Sequence, residues 1–184
     1  MKHPIFTGSG VAIVTPFYQE GVNLETFGRL LDAQLEAGTD AVIVCGTTGE
    51  AATMTYDERM AAGGFCVDHV DGRVPVIAGT GSNNTENAIA LSRDAQQAGA
   101  DGILVVTPYY NKATQEGLYR HYTAVADAVE VPMILYDVPS RTGVAIQPET
   151  YARLSQHPNI VGVKEAGGNF AQMQRTRNLC PDDF

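Results

Sequence analysis

Lys164 closes the run Asn159-Ile160-Val161-Gly162-Val163-Lys164-Glu165-Ala166, whose apolar, β-branched character predicts a buried strand. The chain's other lysines, Lys2 and Lys112, lie in ordinary polar settings. An unpaired ammonium in apolar surroundings is costly, so a group placed there tends to shed its proton. A neutral lysine amine is a nucleophile that condenses with a carbonyl to give a Schiff base. The plainer alternative is a strand-end lysine whose stem is buried and whose ammonium snorkels to water.

Three further groups could work with such an amine. Gly46-Thr47-Thr48-Gly49-Glu50 puts adjacent hydroxyls between flexible glycines, where backbone N–H groups and side-chain donors can gather around a small carboxylate. It also reads as a plain turn, with Glu50 a carboxylate at a helix N-terminus. Tyr136, in Leu135-Tyr136-Asp137-Val138-Pro139, has a phenol able to give or take a proton, or to serve as core with a satisfied hydroxyl. Arg141 offers a guanidinium fork for a second carboxylate, or a surface ion pair.

The elements that must position these groups recur at a spacing of roughly 30 residues, the size of a strand and its crossover helix. Apolar runs fall at Gly10–Thr15, Ala41–Cys45, Val74–Ala78, Gly102–Thr107, Pro132–Asp137 and Asn159–Lys164. Being apolar nearly throughout, they fit parallel strands covered on both faces. Helical patterns lie between them at Asn23–Glu36, Thr85–Gln97, Gln115–Val129 and Pro148–Gln156, with Gly38 and Gly99 closing the first two. Such alternation implies a parallel α/β fold. The first strand leads into Thr15-Pro16-Phe17 without a dinucleotide fingerprint, and Gly79-Thr80-Gly81-Ser82-Asn83-Asn84 lacks the Lys of a P-loop. Its expected role is a turn into a helix capped at Asn84 or Thr85. The polar motifs cluster just after the strands, which favours a (β/α)8 TIM barrel with its chemistry on one face. A closed barrel needs eight strands and about 250 residues. With six units in 184 residues, and a seventh strand due near Asp182-Asp183-Phe184, residues 1–184 read as the N-terminal part of one barrel domain.

A net charge of -9 without basic runs argues against nucleic-acid binding, and no segment has the length of a membrane span. The N-terminus lacks the apolar stretch of a signal peptide. Cys45, Cys66 and Cys180 show no metal-ligand spacing and read as reduced thiols, which points to the cytoplasm. His3, His69, His121 and His157 are scattered, so no metal site is expected.

The order Gly-Thr-Thr-Gly-Glu, Pro-Tyr-Tyr-Asn, Tyr-Asp-Val-Pro-Ser-Arg-Thr-Gly and Val-Lys-Glu-Ala resembles the dihydrodipicolinate synthase (4-hydroxy-tetrahydrodipicolinate synthase) family from about Phe6 onward. The resemblance implies a lyase of lysine and diaminopimelate biosynthesis that joins pyruvate to L-aspartate 4-semialdehyde. It makes Lys164 the Schiff-base residue, so that no cofactor is needed beyond the Lys164–pyruvate imine. Thr47 and Thr48, with Gly46, would hold the pyruvate carboxylate. Tyr136 would shuttle protons through Thr47 and through Tyr110 of a neighbouring subunit, and Arg141 would bind the second substrate. Family members are homotetrameric barrels with a C-terminal helical region, and Asn83 and Tyr109 match a lysine-effector region in some of them.

Departures from the family pattern are Asp137 where Asn is common, Gly167 where Thr is common, and Asn87 where lysine-inhibited members carry Glu. Asp137 is expected to interact with Arg141 or with the backbone. The rival readings are another pyruvate aldolase of the superfamily, such as N-acetylneuraminate lyase or a sugar-acid aldolase, and a non-catalytic fragment.

Overall fold

The structure, a computed structural model, describes residues 2–184. Strand β1 (Gly10–Ala12) leads into a small hairpin, β2 (Phe17–Tyr18) and β3 (Gly21–Val22), and then helix α1 (Leu24–Glu36). Strand β4 (Ala41–Val44) is followed by a 3-10 turn, Ala51–Thr53, and α2 (Tyr56–Val70). The next units are β5 (Val76–Gly79) with α3 (Thr85–Gln97), and β6 (Gly102–Val106) with α4 (Gln115–Asp127). Then come β7 (Met133–Asp137) with α5 (Pro139–Thr142) and α6 (Pro148–Leu154), and β8 (Ile160–Glu165) with α7 (Phe170–Leu179). The six long-range strands form one parallel sheet in the order β1-β4-β5-β6-β7-β8, the hairpin standing apart. Strand order follows chain order without reversal, so there is no switch point of the doubly wound kind. These are six consecutive units of a (β/α)8 barrel.

Alternation along each strand sorts the core into two layers. Ala41, Ile43, Ile77, Leu104, Tyr136 and Val138 face the barrel interior. Val42, Val44, Val105 and Leu135 face outward, where Phe27, Leu31, Leu118 and Leu154 of the helices cover them completely. Each such side chain contributes about 1.5–3 kcal/mol by leaving water. The helices start as their sequences direct: Asn23, Thr55, Asn84 and Thr114 each accept a backbone N–H from the first turn. Gly38 and Gly99 follow the C-termini of α1 and α3 at φ 82° and 90°, a conformation that penalises a side chain.

Several expected boundaries shift. The first run is a strand only as far as Ala12; beyond it, Thr15 turns inward and donates its hydroxyl to the Gly49 carbonyl at 2.8 Å. Cys45 leaves the β4 ladder with φ 53°, redirecting the chain into the Gly-Thr turn. α4 and α6 end two residues before the patterns that foretold them. α2, α5, α7 and the hairpin answer to no expected element. The expected seventh strand does not begin at Asp182, where residues 181–184 form a turn closed by the Phe184 N–H on the Pro181 carbonyl at 3.1 Å.

β1 and β8 have one sheet neighbour each and so are open edges. Below β8, Lys2 is half-buried, its ammonium donating to the carbonyls of Ser155 and, at 2.6 Å, Ile160. Burial holds this ammonium below the usual lysine range, so the ordinary polar setting expected of Lys2 is corrected.

Candidate active site

At the C-terminal ends of the strands lies a cleft of about 720 Å³. Its walls include Gly46 and Thr47 after β4, Tyr109, Tyr110 and Lys112 after β6, Tyr136 on β7, and Arg141 on α5. Three of the four sequence motifs, far apart in the chain, therefore meet at one site. Arginine and lysine side chains, Arg59, Lys112 and Arg141, line it, and no Asp or Glu among the described residues does. An acidic chain thus carries a locally cationic cleft, suited to small anions.

Lys164 departs from the expectation of burial: it is exposed, although it sits on a strand. β8 is the last strand of the sheet, with β7 its one strand neighbour among the described residues. The residue is nevertheless aimed inward. Ile160 pairs with Met133, but Gly162 rather than Val161 pairs with Ile134, so β8 carries a bulge. Side chains repeat every second residue, and Ile160 packs in the outer layer. An unbroken strand would send Lys164 outward with it; the extra residue reverses that, pairing Lys164 with inward-facing Tyr136. The Lys164 ammonium lies 4.4 Å from the centre of the Tyr136 ring. Tyr136 lines the cleft, and Lys164 stands beside it, outside the walls.

Thr48 is exposed beside Thr47 and outside the walls. Tyr110, 88% exposed and at φ 76°, projects from the surface with its backbone N–H on the Thr142 carbonyl at 3.3 Å. Asn83 donates its amide to the Tyr109 carbonyl at 3.3 Å, so those two residues do meet. Glu50 caps nothing with its side chain; it is exposed at φ 60° ahead of the 3-10 turn, which corrects the reading of it as a helix-terminal carboxylate.

Asp137 points away from the cleft into the helix layer and is fully buried. One carboxylate oxygen accepts the Ile146 N–H and the Tyr151 hydroxyl, each at 3.0 Å, and the other accepts the Thr107 hydroxyl at 3.4 Å. Of the two expected partners, the backbone is found and Arg141 is not. Burial raises its pKa to about 6 despite these donors, and Glu165 adds to the rise.

Two site features lie outside the sequence expectations. Arg59 enters the cleft from α2, donating to the Gly79 carbonyl at 2.8 Å, with its guanidinium held below the usual range by desolvation. The Thr55–Glu58 capping box announces that helix, while Ala61-Ala62-Gly63-Gly64 blurs its periodicity. Lys112, read as ordinary, stands in the cleft at φ 52°. Burial raises the thiols of Cys45 and Cys66 to about 11 and about 12, as suits packed, unreactive groups. Among the described residues no helix is long and apolar enough to cross a membrane, and no three His, Cys, Asp or Glu side chains gather as metal ligands.

Residues 5–184 match the model of the Dihydrodipicolinate synthetase family. The 4-hydroxy-tetrahydrodipicolinate synthase of Thermoanaerobacter sp. (strain X514) is 56% identical over 182 residues, covering 98% of this chain and 61% of that protein. The protein of the same name from Geobacter sulfurreducens is 58% identical over 180 residues, covering 98% and 62%. The crystal structure of dihydrodipicolinate synthase from Aquifex aeolicus superposes with a TM-score of 0.95 at 44% identity, covering 97% of this chain and 61% of that one. The chain therefore spans about three-fifths of the length of these relatives.

Proposed function

The chain belongs to the dihydrodipicolinate synthetase family, and from that premise we propose that it is the N-terminal part of a 4-hydroxy-tetrahydrodipicolinate synthase. The observation that carries this reading is the pairing of Lys164 with Tyr136 at the strand ends, beside a cationic cleft walled by Thr47 and Arg141. In the complete protein, two further barrel units and a C-terminal helical region would follow β8 and enclose the lysine.

The chemistry follows from these groups. The Lys164 amine attacks the keto carbon of pyruvate and water leaves, forming an iminium. That cation acidifies the methyl group, and proton loss gives an enamine whose carbon attacks the aldehyde of aspartate semialdehyde. The substrate's own amine then displaces lysine, closing the ring and freeing the enzyme. Tyr136 carries protons through these steps with Thr47. Gly46, Thr47 and Thr48 hold the pyruvate carboxylate, and Arg141 holds that of the semialdehyde. The lysine itself is the electron sink, so the scheme requires neither metal nor organic cofactor.

Tyr110 completes the proton relay across a subunit boundary in a homotetramer; its outstanding exposure here supports that role. The absence of any membrane-crossing helix among the described residues is compatible with a cytoplasmic enzyme. Asn83 and Tyr109 are the candidate contacts for a lysine effector, and calorimetry with lysine on the complete enzyme would remove them if no heat is seen.

Product analysis tests the substrate assignment. The complete enzyme is expected to turn over pyruvate with aspartate semialdehyde and to leave N-acetylneuraminate untouched; the opposite result would replace this reading with a sugar-acid aldolase. Arg141→Ala should raise KM for the semialdehyde by roughly 10- to 100-fold, the worth of a charge-assisted hydrogen bond, and leave KM for pyruvate nearly unchanged.

A further inference from the structure

We propose that Asp137 is a positioning residue for Arg141: its buried carboxylate ties down the loop that carries the arginine, and thereby makes binding of the second substrate sensitive to pH. The inference rests on the function proposed above and concerns a group behind the cleft rather than in it. Arg141 lies on the short α5, and the chain from there to Ile146 has little regular structure. The Ile146 N–H on the Asp137 carboxylate at 3.0 Å closes this loop back onto the end of β7, the strand that also presents Tyr136. Inside the loop, the Thr142 hydroxyl donates to the Val144 carbonyl at 2.9 Å, passing the constraint towards Arg141.

Other ties hold the same loop. Gln115 donates to the Ala145 carbonyl at 2.8 Å and accepts the Gln147 N–H at 2.9 Å, and Gln172 donates to the Ile146 carbonyl at 3.0 Å. Glutamines do not titrate, so the pH-dependent share of the restraint falls to Asp137. Two groups on its carboxylate are firm donors, the Ile146 N–H and the Tyr151 hydroxyl, which suits the ionised, acceptor-only form; the Thr107 hydroxyl lies 3.4 Å from the other oxygen but nearer the Tyr136 carbonyl, at 3.0 Å. The titratable groups facing it are Tyr122 on α4, which donates to Thr107 at 3.2 Å, Tyr151 on α6 and Glu165 on β8. The phenols of Tyr122 and Tyr151 are pushed well above the usual range by burial, so they stay protonated donors. Arg177 of α7 lines a groove with Tyr151 and Glu165 but makes its ion pair with Asp182 at 2.9 Å. With burial lifting the carboxyl to about 6, the strong charge-assisted tie at pH 7–8 becomes a weaker neutral one below pH 6.

Kinetics of the complete enzyme between pH 5 and 8 test this. Wild type should show KM for aspartate semialdehyde rising roughly three- to tenfold below pH 6, the ratio between charged and neutral hydrogen bonds, with KM for pyruvate unmoved. Asp137→Asn keeps an acceptor but cannot titrate, so its ratio to wild type should change with pH; Asp137→Ala should raise that KM at every pH. Superimposable pH profiles for wild type and D137N would overturn the proposal. Hydrogen exchange at Ile146 in the free enzyme needs no turnover. Corrected for intrinsic rates, it should be faster in D137A than in D137N. Equal protection in wild type and D137A would overturn the tie even if the enzyme makes its product. Absence of turnover with these exchange differences intact would count against the proposed reaction, and for the tie.

Discussion

At the scale of single residues, Lys164 owes its setting to the strand that carries it: β8 is the edge of the sheet, and its bulge brings the ammonium to 4.4 Å from the Tyr136 ring centre. Lys164 stood out because an ammonium breaks an apolar run, and the inference of burial followed from strand composition alone. The run does form a strand, but its position at the sheet edge leaves the side chain exposed, and sequence composition carries no information about which strand is an edge. Two buried residues, Asp137 and His121, shape the response to pH. The folded protein keeps the Asp137 proton up to about pH 6, whereas the ordinary carboxyl loses it near 3.8. Stability from this group is therefore complete at low pH and is lost as pH rises from about 4 to about 6, because desolvation of the buried carboxylate outweighs the hydrogen bonds that favour its ionised form. Burial of His121, whose Nε2 has no partner, lowers its pKa from 6.5 to about 4. That group resists protonation in the fold, so stability is lost as pH falls through the same interval. Each effect amounts to about 3 kcal/mol, and the two oppose one another. Asp137→Asn should therefore gain stability over wild type progressively from pH 4 to pH 7, by up to about 3 kcal/mol, as measured by urea unfolding across that range. A difference that stays constant with pH would contradict the buried-carboxyl account.

At the scale of elements, the parallel strands were legible because both faces are covered and their sequences are apolar throughout. The helices α1 and α3 were legible from their spacing and from the glycines that end them. α2 was not, because small residues fill its middle and leave no apolar stripe. That same stretch makes a prediction. A Cβ added at Gly63 or Gly64 meets nothing within 4 Å, and both glycines border a void of about 30 Å³ against α3. Gly64→Ala should stabilise the complete enzyme by about 0.5–1 kcal/mol through helix propensity, seen as a higher Tm; a lower Tm would show that the void is needed. The β8 bulge was hidden for another reason. Which face a strand residue occupies is ordinarily set by counting in twos, and one unpaired residue reverses the count without a mark in composition. The Arg59 contribution was missed together with the helix that carries it.

At the scale of the whole molecule, the order of motifs revealed more than any motif singly. Gly46, Thr47, Tyr109, Tyr110, Tyr136 and Arg141 are separated along the chain, yet a barrel brings the ends of successive strands together, and all of them line one cleft. The reading that six units belong to a larger closed barrel fits the unpaired outer edges of β1 and β8 and the 61% coverage of a relative such as that from Thermoanaerobacter. Under the proposed function, enclosure of Lys164 by further barrel units of the complete enzyme is the condition that turns this exposed side chain beside Tyr136 into a competent nucleophile. The measurement that bears most directly on this account is reductive trapping: the complete enzyme is incubated with pyruvate and borohydride, digested, and its peptides are weighed. The account predicts a reduced pyruvate adduct on the peptide bearing Lys164, lost together with activity in Lys164→Ala. An unmodified Lys164 in an enzyme that still makes product would contradict it.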